Sequence, residues 1–200
     1  MTTARDLALV TLGLPPDRSV EQGDLSLVLA GAEAIDLLES GALTLDGDRM
    51  VPGPGVTTGD RLLDQALASL VRRESYETVG DWLWRRGARL AAAYAEDLER
   101  AGLVVPPRGI GLRSRFTRTA PADSPERRRA EERQASGEPV LAALTAVLRS
   151  GDTQVDDCRS VDGDAANAVL AAVGNAVTEL EAARLRRDVE SNAFDNMWRD

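Results

Sequence analysis

The side chains able to do chemistry in this chain are carboxylates and arginines. It holds no histidine and no lysine, so all 24 cationic side chains are arginine. That removes Ser-His-Asp and Cys-His catalysis, histidine metal ligation, and Schiff-base or P-loop lysines. A carboxylate-only active site is the catalytic option left. Its candidates are the adjacent acids Glu131-Glu132 and Asp156-Asp157, a pairing that solvated helices and loops commonly carry. Asp46-Gly47-Asp48 and Asp162-Gly163-Asp164 have too few ligands at EF-hand spacing for a calcium loop and read as turn and cap residues. Gly53 to Gly59, GPGVTTG, is phosphate-friendly in composition but lacks P-loop spacing and the lysine. No metal, cofactor or catalytic residue is assigned.

Arginine without catalysis points to anion binding, and the charge distribution says where. The net charge of -9 argues against nonspecific nucleic-acid binding by the chain as a whole. Both ends are acidic: Met1 to Asp64 carries 11 acids and 4 arginines, and Gly151 to Asp200 carries 11 acids and 5 arginines. Arg108 to Arg133 reverses the balance with 8 arginines and 4 acids, a basic sector able to face an anionic partner. The single cysteine, Cys158, excludes an internal disulfide framework and suits a reducing compartment. The apolar run LALVTLGL is stopped by Pro15-Pro16, too short to span a membrane and followed by no small-residue cleavage site. The expected location is cytoplasmic.

The elements that must position these arginines are mostly helices. Aromatics are only 4% of residues, so the core must be built from Leu, Val and Ala. Leu25, Val28, Leu29, Ala32, Ile35 and Leu38 recur at helical spacing up to a C-terminal cap at Gly41. LTL, DGD and RMV then read as a short hairpin. Thr57 or Thr58 is expected to cap the next helix, with Asp60 in its first turn. Thr78 and Asp81 form a capping-box pattern before Trp82 and Trp84, which a helix cannot bury on one face: one belongs in the core and the other at a surface. A second hairpin is expected from Leu103 to Val105 and the residues around Leu112 to Phe116, turning across PPRG. SPERRRAEERQ has a good cap and no apolar face. A buried helix follows to Gly151, then a long helix capped by Asp164 with Val169, Val173, Val177 and Leu180 on one stripe. The total is about seven helices and two hairpins, a mainly α fold.

Two helix-then-hairpin units admit a winged-helix reading. Against it, LAAAYAEDLER carries Glu96, Asp97 and Glu99 before the second hairpin, acids that would repel a phosphate backbone. A different set of motifs covers far more of the chain. LALVTLGL, LAGAEAIDLLESGALTL, TGDRLLDQAL, TVGDWL and YAEDLERAGLV occur in that order between Asp6 and Ala182. In this the chain resembles the Golgi phosphoprotein 3-like family, whose bacterial members are of about this length. The resemblance implies a single compact helical domain over residues 6–182, built around a central helix bundle with one or two short β-hairpins. Residues 183–200 would be a helix end and tail. It implies a non-enzymatic peripheral membrane protein, acting as adaptor or scaffold, that binds anionic lipid, with phosphatidylinositol 4-phosphate the implied headgroup. Arginine forks gripping phosphate and an apolar hairpin tip at the bilayer make that binding physically coherent.

This chain departs from the pattern that the resemblance implies. The family's pocket tryptophan falls near Glu21 and its pocket arginines near Ala30, Ala88 and Ala91, so none of the four is retained. Arg18, Arg85 and Arg89 lie within a few residues of those positions and are the candidate replacements. Arg113 and Arg115 stand where the family has a more apolar hairpin tip, which points to a hairpin lying on anionic headgroups. The expected headgroup set is thus Arg18, Arg85, Arg89, Arg113 and Arg115, on the inner face of a membrane. Two other readings stay open: a soluble protein-protein interaction module, with self-association through the hairpin as one form of it, and the winged-helix regulator.

Overall fold

The computed structural model of the chain describes residues 2–12, 20–105, 120–121, 123–150 and 163–197. Everything in it is arranged about one helix. After α1 (Thr3–Leu12), helix α2 (Gln22–Glu39) buries every residue from Asp24 to Leu37. Apart from Glu33, LSLVLAGAEAI is apolar or small on all sides, the pattern of a helix enclosed by others. The remaining elements are β1 (Leu43–Asp46), β2 (Arg49–Pro52), α3 (Arg61–Ser69), α4 (Val79–Arg86), α5 (Leu90–Arg100), β3 (Val104–Val105), β4 (Ala120–Pro121), α6 (Pro125–Ala135), α7 (Pro139–Ser150) and α8 (Asp164–Met197). Helices α1, α3, α4, α5, α7 and α8 all pack on α2, while α6 packs on α1 and α7. The described residues therefore form a mainly α fold of eight helices with two two-stranded antiparallel sheets.

The close crossing of α2 and α8 depends on Gly31: a Cβ there would lie 2.3 Å from Val173 Cγ2. Polar pins fix the other helices. The Trp82 indole N–H donates to the Ala30 carbonyl at 3.0 Å, tying α4 to the middle of α2. Glu33 is fully buried and accepts from Arg86 Nε at 2.7 Å, Arg86 Nη2 at 2.9 Å and the Tyr94 hydroxyl at 3.1 Å. Arg86 also donates to the Leu62 carbonyl at 3.0 Å, so one ion pair joins α2, α3, α4 and α5. Burial pushes the Glu33 carboxyl up, against the pull of Arg86 and Tyr94. A second buried acid, Asp6 of α1, pairs with Arg133 of α6, which gives the otherwise polar α6 its attachment.

Most expected caps are present. Gly41 takes φ +69 after α2, and Gly47 takes φ +61 in the β1–β2 turn. Thr78 and Asp81 form the reciprocal capping box of α4. Ser124 caps α6 with Pro125 behind it. Trp82 is fully buried and Trp84 is 42% exposed, the division that their spacing required.

Three expectations need correction. Asp164 is the first residue of α8 and lies in its first turn instead of capping it. Asp60, not Thr57 or Thr58, caps α3, accepting from Leu62 and Leu63 N–H at 2.9 and 3.1 Å. Thr58 instead anchors Asp64, with its N–H and hydroxyl both 2.8 Å from Oδ1. The partners of Val104 and Val105 are Pro121 and Ala120, well beyond a tight turn across PPRG. Residues 106–119, with the expected return strand near Leu112 to Phe116, lie outside the described residues.

Candidate functional site

The sequence from Trp84 to Leu90 builds a corner. Helix α4 ends at Gly87, whose N–H donates to the Leu83 carbonyl at 2.9 Å. A Cβ at Gly87 would lie 2.5 Å from that carbonyl and 3.3 Å from the Ser26 carbonyl, so glycine lets the corner seat on α2. Two residues on, Arg89 adopts φ +63 and ψ +17, a left-handed conformation that costs a non-glycine residue about 1 kcal/mol. It redirects the chain into α5. Ser26 Oγ accepts from the Ala91 N–H at 3.1 Å and donates to the Gln22 carbonyl at 2.8 Å, locking the start of α5 to the first turn of α2.

Between these parts runs an open groove of about 430 Å³, lined by Gln22, Gly23, Ser26, Leu27, Trp84, Gly87, Ala88, Arg89, Ala92 and Leu180. Arg89 is the one charged side chain among them, is exposed, and has no ion-pair partner among the described residues. The start of α2 opens onto the same groove through Gln22 and Gly23. No side chain caps it, because its N-cap residue is Glu21, where a Ser, Thr, Asp or Asn would be usual. Its first-turn N–H groups and positive dipole end are thus available to an anion. The nearby Asp24 carboxylate is engaged by Arg184 of α8 at 2.9 Å. Trp84 gives one wall an exposed indole.

The expected headgroup residues separate here. Arg89 lines the groove. Arg85 does not: its Nε and Nη2 bind Glu77 at 3.0 and 2.6 Å, and Nη2 also donates to the Ser69 carbonyl at 3.2 Å. Its guanidinium sits 5.2 Å from the centre of the Trp82 ring. Arg85 therefore clamps the segment between α3 and α4. Arg18, Arg113 and Arg115 lie outside the described residues. Of the four positions that the resemblance marked, Ala88 lines the groove and Glu21 immediately precedes it, while Ala30 and Ala91 are fully buried in the core. The uncapped start of α2 escaped the sequence reading, although its signal was present in EQGD, which offers no capping side chain before the helix.

Among the described residues, no three His, Cys, Asp or Glu side chains are grouped to hold a metal, and no helix is long and apolar enough to cross a membrane. The fold defines a mainly helical protein with an open surface groove beside the start of α2. A family model described as Golgi phosphoprotein 3 (GPP34) matches residues 4–191, and the chain belongs to that family. No curated protein matches it. The family is of adaptor type, and membership suggests a lipid-binding or adaptor role.

Proposed function

We propose that this protein is a non-catalytic peripheral membrane adaptor that receives the phosphate of an anionic lipid headgroup in the groove between α2 and the α4–α5 corner. The observation that carries the reading is the meeting of Arg89, which has no ion-pair partner among the described residues, with the uncapped start of α2 beside the exposed Trp84. Arg89 would fork onto phosphate oxygens, the Gln22 and Gly23 N–H groups would complete the contact, and the indole of Trp84 would enter the headgroup layer. Arg18, Arg113 and Arg115 are assigned to the same membrane contact, each contributing about 1 kcal/mol near an anionic surface. Arg85 is assigned to holding the α3–α4 segment. The inner face of the membrane is the proposed location, and phosphatidylinositol 4-phosphate is the first headgroup to test.

Co-sedimentation tests this, using neutral, anionic and phosphatidylinositol 4-phosphate vesicles at equal ionic strength. Binding to phosphatidylserine vesicles that Arg89→Glu removes without lowering the melting temperature is the expected result. Binding to no vesicle, or binding to phosphatidylserine vesicles, which carry no terminal phosphate monoester, that survives Arg89→Glu, overturns the site. The second reading, a protein-interaction module, is favoured by one observation: Leu185 and Val189, one turn apart on α8, are 66% and 67% exposed.

A further inference from the structure

A second cavity, of about 580 Å³, lies at the other end of α5, among residues that include Thr2, Arg5, Gly59, Arg61, Asp97 and Arg100. Arg89 and Arg100 are eleven residues apart on or beside α5, about 16 Å along the helix axis, so this is not the groove described above. Three guanidiniums from three helices converge on one carboxylate here. Asp97 Oδ1 accepts from Arg61 Nε at 3.0 Å and Nη2 at 2.8 Å, and from Arg100 Nη1 at 3.0 Å. Asp97 Oδ2 accepts from Arg5 Nη1 at 2.9 Å. Asp60 caps α3 through Oδ1 and meets the same Arg5 nitrogen through Oδ2 at 3.5 Å, so neither of its oxygens serves Arg61 or Arg100.

Donors therefore outnumber acceptors. Arg61 Nη1, Arg100 Nε and Nη2, the Thr2 hydroxyl and the Gly59 N–H have no acceptor among the described residues. The charged residues lining the cavity are three arginines and two aspartates, a surplus of one positive charge. Burial pushes the Asp97 carboxyl up, yet Arg61 and Arg5 outweigh it and hold the group below its usual range, as a positive local potential requires. The Arg61 and Arg100 side chains are 49% and 59% exposed, so both forks can reach a second anion while Arg5 stays on Asp97.

We propose that this cavity is a second anion site, taking a terminal phosphate monoester through Arg61 and Arg100, with Asp97, held by Arg5, as the internal anion that gathers the two guanidiniums and gives them up when the phosphate binds. A carboxylate offers two oxygens, a role Asp97 already fills. The donors left over, guanidinium edges with a hydroxyl and a backbone N–H, suit the three oxygens of a terminal phosphoryl group. That group can arrive on a soluble metabolite or on a lipid such as phosphatidic acid.

Two arms distinguish the sources. Glycerol 3-phosphate is titrated calorimetrically into the full chain in phosphate-free buffer. In parallel, the Arg89→Glu chain, which lacks the groove's arginine, is co-sedimented with phosphatidylcholine vesicles with and without phosphatidic acid. Saturable binding in either arm is expected, weakened about tenfold or more by Arg61→Gln with Arg100→Gln. In Asp97→Asn it should tighten, because the competing carboxylate is gone; a network that only holds the fold together would lose stability with no gain in binding. Melting curves establish that each variant folds. Absence of binding in both arms, or binding indifferent to the double substitution, overturns the proposal. Because Arg89 is intact in the double variant on its own, groove-dependent docking measured on that variant stands or falls separately.

Discussion

Substituting Asp36→Asn will remove a pH dependence that the fold builds into the junction of α1 and α2. Asp36 is 8% exposed near the end of α2, and its carboxylate accepts from the Thr3 and Ala4 N–H groups at 2.8 and 3.1 Å. It thus caps α1 from another helix. Burial is the larger influence and drives the carboxyl from 3.8 to about 6, while the α1 N–H groups pull it down. Because the folded value lies above the unfolded one, the native chain holds a proton that the unfolded chain releases between those values. The contribution to stability is complete below pH 3.8 and is lost as pH rises through about 6. At about 1.4 kcal/mol per pH unit, the loss is about 3 kcal/mol. Urea unfolding of both chains from pH 4 to pH 7 measures it. The wild-type stability minus that of the variant should fall by about 2 to 3 kcal/mol over that range. Asp6 and Glu33, also raised by burial, titrate in both chains and drop out of the difference. A difference that stays flat, or that rises with pH, refutes the reasoning.

Three further outcomes follow from the packing. Glu33→Gln leaves the Arg86 guanidinium buried without its counter-charge and should cost about 3 to 5 kcal/mol in chemical denaturation, whereas replacing Glu33 and Arg86 together by methionine should recover most of that loss. Gly31→Ala forces α2 and α8 apart where Val173 leaves no room, and should cost about 1 to 3 kcal/mol. Its melting temperature should fall even though alanine is the better helix former, and an unchanged value would contradict the close crossing. Arg85→Gln takes a partly exposed arginine from the buried Glu77 carboxylate, so it should cost about 1 to 3 kcal/mol and leave vesicle binding unaltered, separating Arg85 from Arg89 by assay.

Much of the fold was legible because it is written locally. The cap at Gly41, the turn at Gly47 and the Thr78-Asp81 box each depend on residues a few positions apart. The valine stripe of α8 follows from helical spacing alone, and Val169, Val173 and Val177 are all buried. What resisted reading joins distant segments. Nothing in the spacing of Asp36 and Thr3 announces that one caps the helix of the other. Arg85 and Arg89 sit four residues apart and looked alike. The αL turn at Arg89 separates them, leaving one over Trp82 against Glu77 and the other in the groove. The shift from Thr58 to Asp60 as the α3 cap was a local choice between neighbours, settled when Asp64 took the threonine. The proposed site was legible only as a set of arginines, of which Arg89 lines the groove. The uncapped end that faces them appears once α2 is seen to start at Gln22.

The length of α8 gives the protein a built-in gauge of its own attachment. Its 34 residues span about 50 Å, yet among the described residues its fully buried positions end at Val177 and its last ion pair to the body is Arg184 with Asp24. From Leu185 to Met197 there are thirteen residues, about the length at which a lone helix is marginal in water. Amide hydrogen exchange should therefore step sharply along one continuous helix, slow up to Val177 and fast beyond Arg184. The step falls beside Leu180 and Gly23, where the groove meets α8. An occupant that tightens the Arg184 contact would carry the slow zone outward, so the exchange profile of a segment that touches no ligand reports how firmly the groove is held.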